Sequence, residues 1–252
     1  MLPLEKSKPK ENLFDYVTLF HGPPKIGKST LISEIGDVLF ADCEGGLSAL
    51  EVYKYPIPDW LTFLSLCKEF TTEEHKFKAM CIDTADALHS KCTSYLMDKY
   101  DIIHPSDLEW GKGYDLVKTE FLRPMIKLST SPYGLILISH TQEKEITTRT
   151  SKITKHVPSM ANYVWKQIEG FVDIVIYCYT EESGGTEKRW LTAKPSEKWI
   201  AGDRTKRLLR HEKIPLVSGK GWEALSKAFE VEPEKEEEEI IINNPPVKSI
   251  KL

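Results

Sequence analysis

The stretch YVTLFHGPPKIGKSTLISEI, Tyr16 to Ile35, decides the fold of this 252-residue chain. Its first five residues, Tyr16 to Phe20, are β-branched, aromatic or apolar and predict a buried strand. The chain then breaks into Gly22-Pro23-Pro24-Lys25-Ile26-Gly27-Lys28-Ser29-Thr30 and resumes with Leu31, Ile32 and Ile35 at helical spacing. Strand, G-x4-G-K-S and helix in that order is the context in which the motif means a phosphate-binding loop. Gly22 and Gly27 let the backbone curl so that successive N–H groups face phosphate oxygens, and the new helix adds the positive end of its dipole. Lys28 supplies a point charge to the β- and γ-phosphates, while the Ser29 hydroxyl completes a Mg²⁺ shell.

Outward from this loop the chain reads as one α/β domain over residues 13–229. A polar arm (1–12) precedes it and an acidic tail (230–252), expected to be disordered, follows. The net charge of −4 is unevenly placed, because VEPEKEEEEI (Val231 to Ile240) holds six Glu against one Lys. The remainder is near neutral, so no strongly basic domain is present. Five cysteines (43, 67, 81, 92 and 178) show no C-x-x-C pair and no His at zinc spacing. They read as reduced, mostly buried thiols of a cytoplasmic protein. No signal peptide and no membrane span is expected.

Short continuous apolar runs recur at Val38–Ala41, Phe77–Ile82 and Leu135–Ile138, and helical patterns lie between them. Continuous rather than alternating hydrophobicity predicts a mainly parallel sheet covered on both faces. Thr141 to Pro158 has no apolar periodicity and is expected to be a long basic loop. A strand from Phe171 to Tyr179, the turn Glu181-Glu-Ser-Gly-Gly-Thr186 and Arg189 to Ala193 predict a C-terminal β-hairpin, followed by a short helix over 221–229.

The ends of these strands carry the chemistry. Asp83 closes the third run and can serve a metal ion beside Ser29, although a helix N-cap is the alternative reading. Glu44 follows the second run at Asp42-Cys43-Glu44-Gly45-Gly46. There a carboxylate can orient the water that attacks a γ-phosphate, with Asp42 as its competitor. Ser139 and His140 close the fourth run on the same edge, where a polar side chain can sense the γ-phosphate.

Taken in order, GPPKIGKST, LFADCEGG, MCIDTAD, ILISHT and AGDRTKRL resemble the RecA-like ATPases, specifically their small phage-encoded form associated with single-strand annealing and recombination. The resemblance spans roughly Phe14 to Leu209. It implies ATP and Mg²⁺ as ligands, Lys28 and Ser29 on phosphate and metal, Asp83 supporting the metal, and Glu44 orienting the water. It further implies a sensor at Ser139 and His140, and Arg204 and Lys206 reaching the γ-phosphate of a neighbouring subunit in a ring or filament. Single-stranded DNA is the implied partner, with a single-strand-binding protein as a second and the host cytoplasm as the location.

Two segments are candidates for DNA. Trp110, Lys112 and Tyr114, interleaved with glycines, combine stacking surface and charge. Lys144, Arg149, Lys152 and Lys155 form the cationic set of the 141–158 segment. The rival readings are a P-loop small-molecule or nucleotide kinase and a nucleotide-dependent loader of another DNA-processing protein. A GTPase is disfavoured, because Thr192-Ala-Lys194-Pro lacks the carboxylate that reads guanine.

Overall fold

The computed structural model describes residues 5–6, 8–147 and 152–230. Strands β1 (Thr18–Gly22), β2 (Val38–Asp42), β3 (Tyr53–Pro56), β4 (Ala79–Asp83) and β5 (Gly134–Thr147) alternate with helices. The helices are α1 (Lys28–Ser33), α2 (Trp60–Thr72), α3 (Ala85–Tyr100) and α4 (Lys112–Ser129). There follow β6 (Lys152–Pro158), α5 (Asn162–Phe171), β7 (Ile174–Ser183), β8 (Thr186–Thr192), β9 (Gly202–Asp203), β10 (Ile214–Pro215) and α6 (Gly221–Glu230).

The sheet order is β10-β8-β7-β1-β5-β4-β2-β3. The six strands from β7 to β3 run parallel, and β8 and β10 close one edge in antiparallel fashion. This is the expected RecA-like P-loop class: a mainly parallel sheet, flanking helices and a C-terminal hairpin. Because the strands are parallel, all their C-terminal ends share one edge, and Gly22, Asp42, Asp83 and His140 are delivered there together.

Alternate strand residues supply two cores. Leu19, Met80, Ile82, Leu135 and Leu137 face α2, α3, α4 and α5 through Trp60, Phe63, Leu88, Phe121 and Ile168. Phe20, Phe40, Cys81, Ile136 and Ile138 face α1 and α6 through Leu31, Ile32, Leu225 and Phe229. Burial on both faces is the physical reason the strands read as continuous apolar runs. All five cysteines are free and buried, as expected. Among the described residues no helix is long and apolar enough to cross a membrane.

The structure corrects several boundaries. The first strand begins at Thr18, leaving Tyr16 and Val17 before it, and β3 is an edge strand that its exposed, mixed sequence did not announce. The 141–158 segment is not a structureless loop: β5 continues to Thr147 and pairs antiparallel with β6. Its polar, threonine-rich pattern is that of a two-stranded ribbon standing clear of the core, which needs no apolar periodicity. The 107–114 segment is likewise no loop, since two short 3-10 turns run into α4 and Lys112 and Tyr114 lie in its first turn. Residues 10 and 11 of the expected N-terminal arm are tied to the body. The Lys10 carbonyl accepts from the Tyr16 hydroxyl at 2.8 Å, and the Glu11 carbonyl accepts from Arg207 at 3.1 Å. Arg149 and the tail beyond Glu230 lie outside the described residues.

Candidate functional site

At the C-terminal edge the β1–α1 loop borders a cleft of about 500 Å³. Pro24, Lys25, Gly27, Lys28, Ser29 and Thr30 form one wall, and Asp42, Glu44, Asp83, Thr84 and His140 form the other. The two loop glycines act differently. Gly27 adopts φ +110°, a conformation that side chains resist. Gly22 ends β1, and a Cβ there would lie 2.5 Å from the Cys178 carbonyl oxygen of β7, so its absence lets the two strands pair. Of the other loop residues, Ile26 is buried and anchors the loop to the α1-side core.

Lys28 is buried and curls over its own loop, donating to the carbonyls of Gly22 at 2.8 Å and Pro23 at 2.9 Å. Desolvation lowers its pKa from the usual lysine range, opposed by nearby acidic groups including Asp83, Asp86 and Glu44. The ammonium therefore sits in the loop's mouth with three donors, two of them on backbone carbonyls.

Ser29 Oγ donates to Asp83 Oδ2 at 2.6 Å. Burial raises the Asp83 pKa and the Ser29 bond opposes that; the carboxylates of Glu44 and Asp42 push it up further. Among the described residues no cluster of three or more His, Cys, Asp or Glu side chains forms a self-sufficient metal cage. A hydroxyl and a carboxylate within 2.6 Å, in an acidic corner beside a phosphate loop, fit Mg²⁺. That ion takes oxygen ligands and is completed by phosphates and water. Asp83 does not cap α3; Thr84 does, its hydroxyl accepting from the Ala87 amide at 3.3 Å.

Glu44 follows β2 at the site's rim. Its Oε1 accepts from the Thr84 hydroxyl at 2.6 Å, and its Oε2 lies 3.4 Å from His140 Nε2. Asp42, the competing carboxylate, accepts instead from the Gly45 amide at 2.7 Å and so shapes the turn that carries Glu44. Ser139 is fully buried, and its hydroxyl donates to Asp86 Oδ1 at 2.6 Å. The same carboxylate accepts from the His140 amide at 2.6 Å and from the Ser159 hydroxyl at 2.7 Å. Sequence reasoning assigned no role to Asp86, and its signal was only the short spacing of MCIDTAD.

His21, directly before the loop, is also missing from the expected set. It is fully buried, with Nε2 at 2.7 Å from the Ile200 carbonyl and Nδ1 at 2.9 Å from the Thr141 hydroxyl. A carbonyl only accepts, so Nε2 carries the proton and Nδ1 accepts from Thr141. Burial lowers the His21 pKa to about 4, so the ring is neutral at physiological pH. It ties the base of the β5–β6 ribbon to the phosphate loop.

Arg204 and Lys206 are not brought to this site. Arg204 follows β9, which pairs with the first residues of β7, so it lies at the opposite edge of the sheet. Its guanidinium donates to the Gly170 carbonyl at 2.7 Å and approaches Asp173 at 3.6 Å, closing the C-terminal end of α5. Lys206 is exposed in a left-handed turn on that same edge.

The DNA candidates converge only in part. Tyr114 packs edge-on against Tyr163 of α5 at 5.4 Å, and Lys144 donates to Asn162 at the start of α5 at 3.1 Å, so both segments border one surface. Trp110 is 91% exposed in a left-handed conformation, and Lys112 is exposed beside it. On the ribbon Lys144 and Lys155 stand directly opposite each other, while Lys152 is on the other face and pairs with Glu145 at 3.3 Å.

The AAA domain family model matches residues 15–205, about three quarters of the chain and all of the site just described. The chain belongs to this family. Nucleotide binding with ATPase activity is the coarse function that membership supports. No curated protein matches the chain. Among solved structures it is similar to the flagellar accessory protein FlaH from Methanocaldococcus jannaschii. The sequences are 11% identical, the match covers 80% of this chain and 84% of that one, and the TM-score is 0.41.

Proposed function

We propose that this AAA-family chain is a Mg²⁺-dependent ATPase stimulated by single-stranded DNA, acting in annealing or recombination. The observation that carries the DNA reading is the Lys144–Lys155 cross-strand pair. Like charges directly opposite on one face of a ribbon destabilise it, and an anion bound across both relieves the cost. The ribbon grows out of β5, the strand that carries Ser139 and His140. A phosphate chain against His140 and a nucleic-acid backbone on the ribbon would then bias one rigid element, with the buried Ser139 holding that strand to Asp86.

In this reading Lys28 and the loop amides hold the phosphates. Bound Mg²⁺, held through Ser29 and Asp83, would supply charge neutralisation. Glu44 takes up the proton of the attacking water, its orientation fixed by Thr84. His140, beside Glu44, senses whether the γ-phosphate is present. The test is the ATPase rate with single-stranded DNA, duplex DNA, RNA or no polymer. Stimulation by single strands above the other conditions supports the proposal. Equal rates in all four remove DNA from the function and leave an AAA-family ATPase with another partner.

A further inference from the structure

We propose that the acidic segment Val231 to Ile240 docks in a cationic cleft of its own chain, at the edge of the sheet opposite the phosphate loop. Tyr16 and Val17 lead into β1 at that edge, and the Val17 amide donates to Asp173, just before β7, at 3.1 Å. The cleft measures about 560 Å³, and Lys8, Lys10, Arg204 and Arg207 line it. These cations are held largely by groups that carry no charge. Arg204 donates to the Gly170 carbonyl, Arg207 to the Glu11 carbonyl at 3.1 Å and Lys10 to the Asp15 carbonyl at 2.5 Å. A carbonyl satisfies a donor without neutralising it. Asp173, 3.6 Å from Arg204, is the one carboxylate of the lining set against four positive charges. The neighbouring Asp203 is buried and turned to the amides of Thr205 and Leu208.

The described chain ends beside this cleft. Phe229, in the last turn of α6, packs edge-on against Tyr16 at 5.7 Å, and the Arg207 guanidinium lies 4.6 Å from the centre of its ring. Tyr16 and Arg207 both line the cleft, so the chain leaves the body at Glu230 within reach of it. The next ten residues, VEPEKEEEEI, carry six Glu and one Lys, the sign opposite to that of the lining. An exposed ion pair is worth little by itself. Covalent attachment changes the balance, because a segment joined beside its site is present at an effective concentration on the order of mM. Several weak pairs then suffice to hold it. Filled in this way, the cleft is closed to other polyanions.

Zero-length carbodiimide coupling of the full chain, read by peptide mass spectrometry, tests the assignment, because it joins a carboxylate to a lysine amine only where the two touch. The expected products link the glutamates between Glu232 and Glu239 to Lys8 or Lys10. In a mixture of isotope-labelled and unlabelled chains, each link should carry a single isotope. Proximity alone is separated from docking by Arg204→Gln and Arg204→Gln/Arg207→Gln, which leave both lysines in place. Docking predicts that the links fall by about two- to fivefold for each arginine removed, the range of an exposed ion pair. They should also vanish near ~1 M salt, where the screening length is about 3 Å. A yield indifferent to both substitutions and to salt would mean that the segment only passes the lysines. Links to Lys144 or Lys155 would put it on the ribbon, and mixed-isotope links would put a second copy's tail in the cleft. Each of these results overturns the proposal, as does the absence of any link to Lys8 or Lys10. If the double variant does not fold, Arg204→Gln and the salt series on the wild type carry the test.

Discussion

The Thr84 hydroxyl donates a 2.6 Å hydrogen bond to Glu44 Oε1, joining the end of β4 to the turn after the neighbouring β2 along one wall of the cleft. One carboxylate oxygen is thereby fixed, and the other is left near His140. Glu44→Gln is expected to bind ATP as wild type does and to hydrolyse it about 10²–10⁴-fold more slowly, the usual contribution of a positioned general base. Thr84→Val should lower kcat by about tenfold with ATP affinity unchanged, and Thr84→Ser should restore it. Steady-state rates with direct nucleotide titration check both. A wild-type rate in Glu44→Gln would transfer the role to Asp42.

The phosphate loop, the parallel sheet and the carboxylates at strand ends were legible because each is local. A strand, its turn and the helix after it lie within twenty consecutive residues, and a buried parallel strand is apolar without interruption. Asp86 was not legible because its three donors, Ser139, His140 and Ser159, lie 53 to 73 residues away. The sequence shows an acidic residue near the start of a helix, and that alone predicts a favourable dipole contact and no more. The ribbon was missed for the opposite reason. Its residues pair with each other and only lightly with the core, so the hydrophobic period that announces other strands is absent. The contacts Arg204 makes within its own chain were not legible either, because the Gly170 carbonyl it meets at the end of α5 lies 34 residues away.

Asp86 should therefore matter more to stability than any single site residue named from sequence. Asp86→Ala removes the shared acceptor of the His140 amide and the Ser139 and Ser159 hydroxyls, leaving the fully buried Ser139 only the His140 carbonyl at 2.9 Å. Hydrogen bonds to a charged group contribute about 1.5–3 kcal/mol each, so a loss of about 3 kcal/mol or more is expected. Urea unfolding measures it. A loss below about 1 kcal/mol would show that water or a rearranged Ser159 replaces the carboxylate.

His21 sets a pH dependence whose sign is fixed. Its pKa is about 4 when folded and near 6.5 when unfolded. Between those values the unfolded chain binds the extra proton, so stability is complete above about pH 6.5 and falls as pH is lowered towards 4. The full change for this group is about 3 kcal/mol. His89, lowered to about 4 by burial, acts in the same direction. Unfolding free energy measured from pH 7.5 to 4.5 should decline less steeply in His21→Gln than in wild type. Parallel curves would mean that His21 is charged in the folded protein, or that the ring opens to water before it titrates.

The Lys144–Lys155 pair yields two effects of opposite sign. Without DNA, Lys155→Thr removes a like-charge contact and replaces it with a β-favouring residue. The protein should then be more stable by a few tenths to about 1 kcal/mol. With DNA the same change removes a phosphate contact. Each cation bound to a single strand contributes about −0.7 to the slope of log affinity against log salt. Replacing Lys144 and Lys155 together should therefore flatten that slope by about 1.4. Replacing Lys152, which sits on the other face and pairs with Glu145, should change it less. Fluorescence anisotropy of a labelled oligonucleotide over a salt series, beside thermal unfolding of the free protein, reads both effects on the same samples. A ribbon present for fold stability alone would lose stability in Lys155→Thr and keep its salt slope. A ribbon that binds DNA gains stability when free and loses affinity when bound, because the repulsion between the two lysines is then what the nucleic acid relieves.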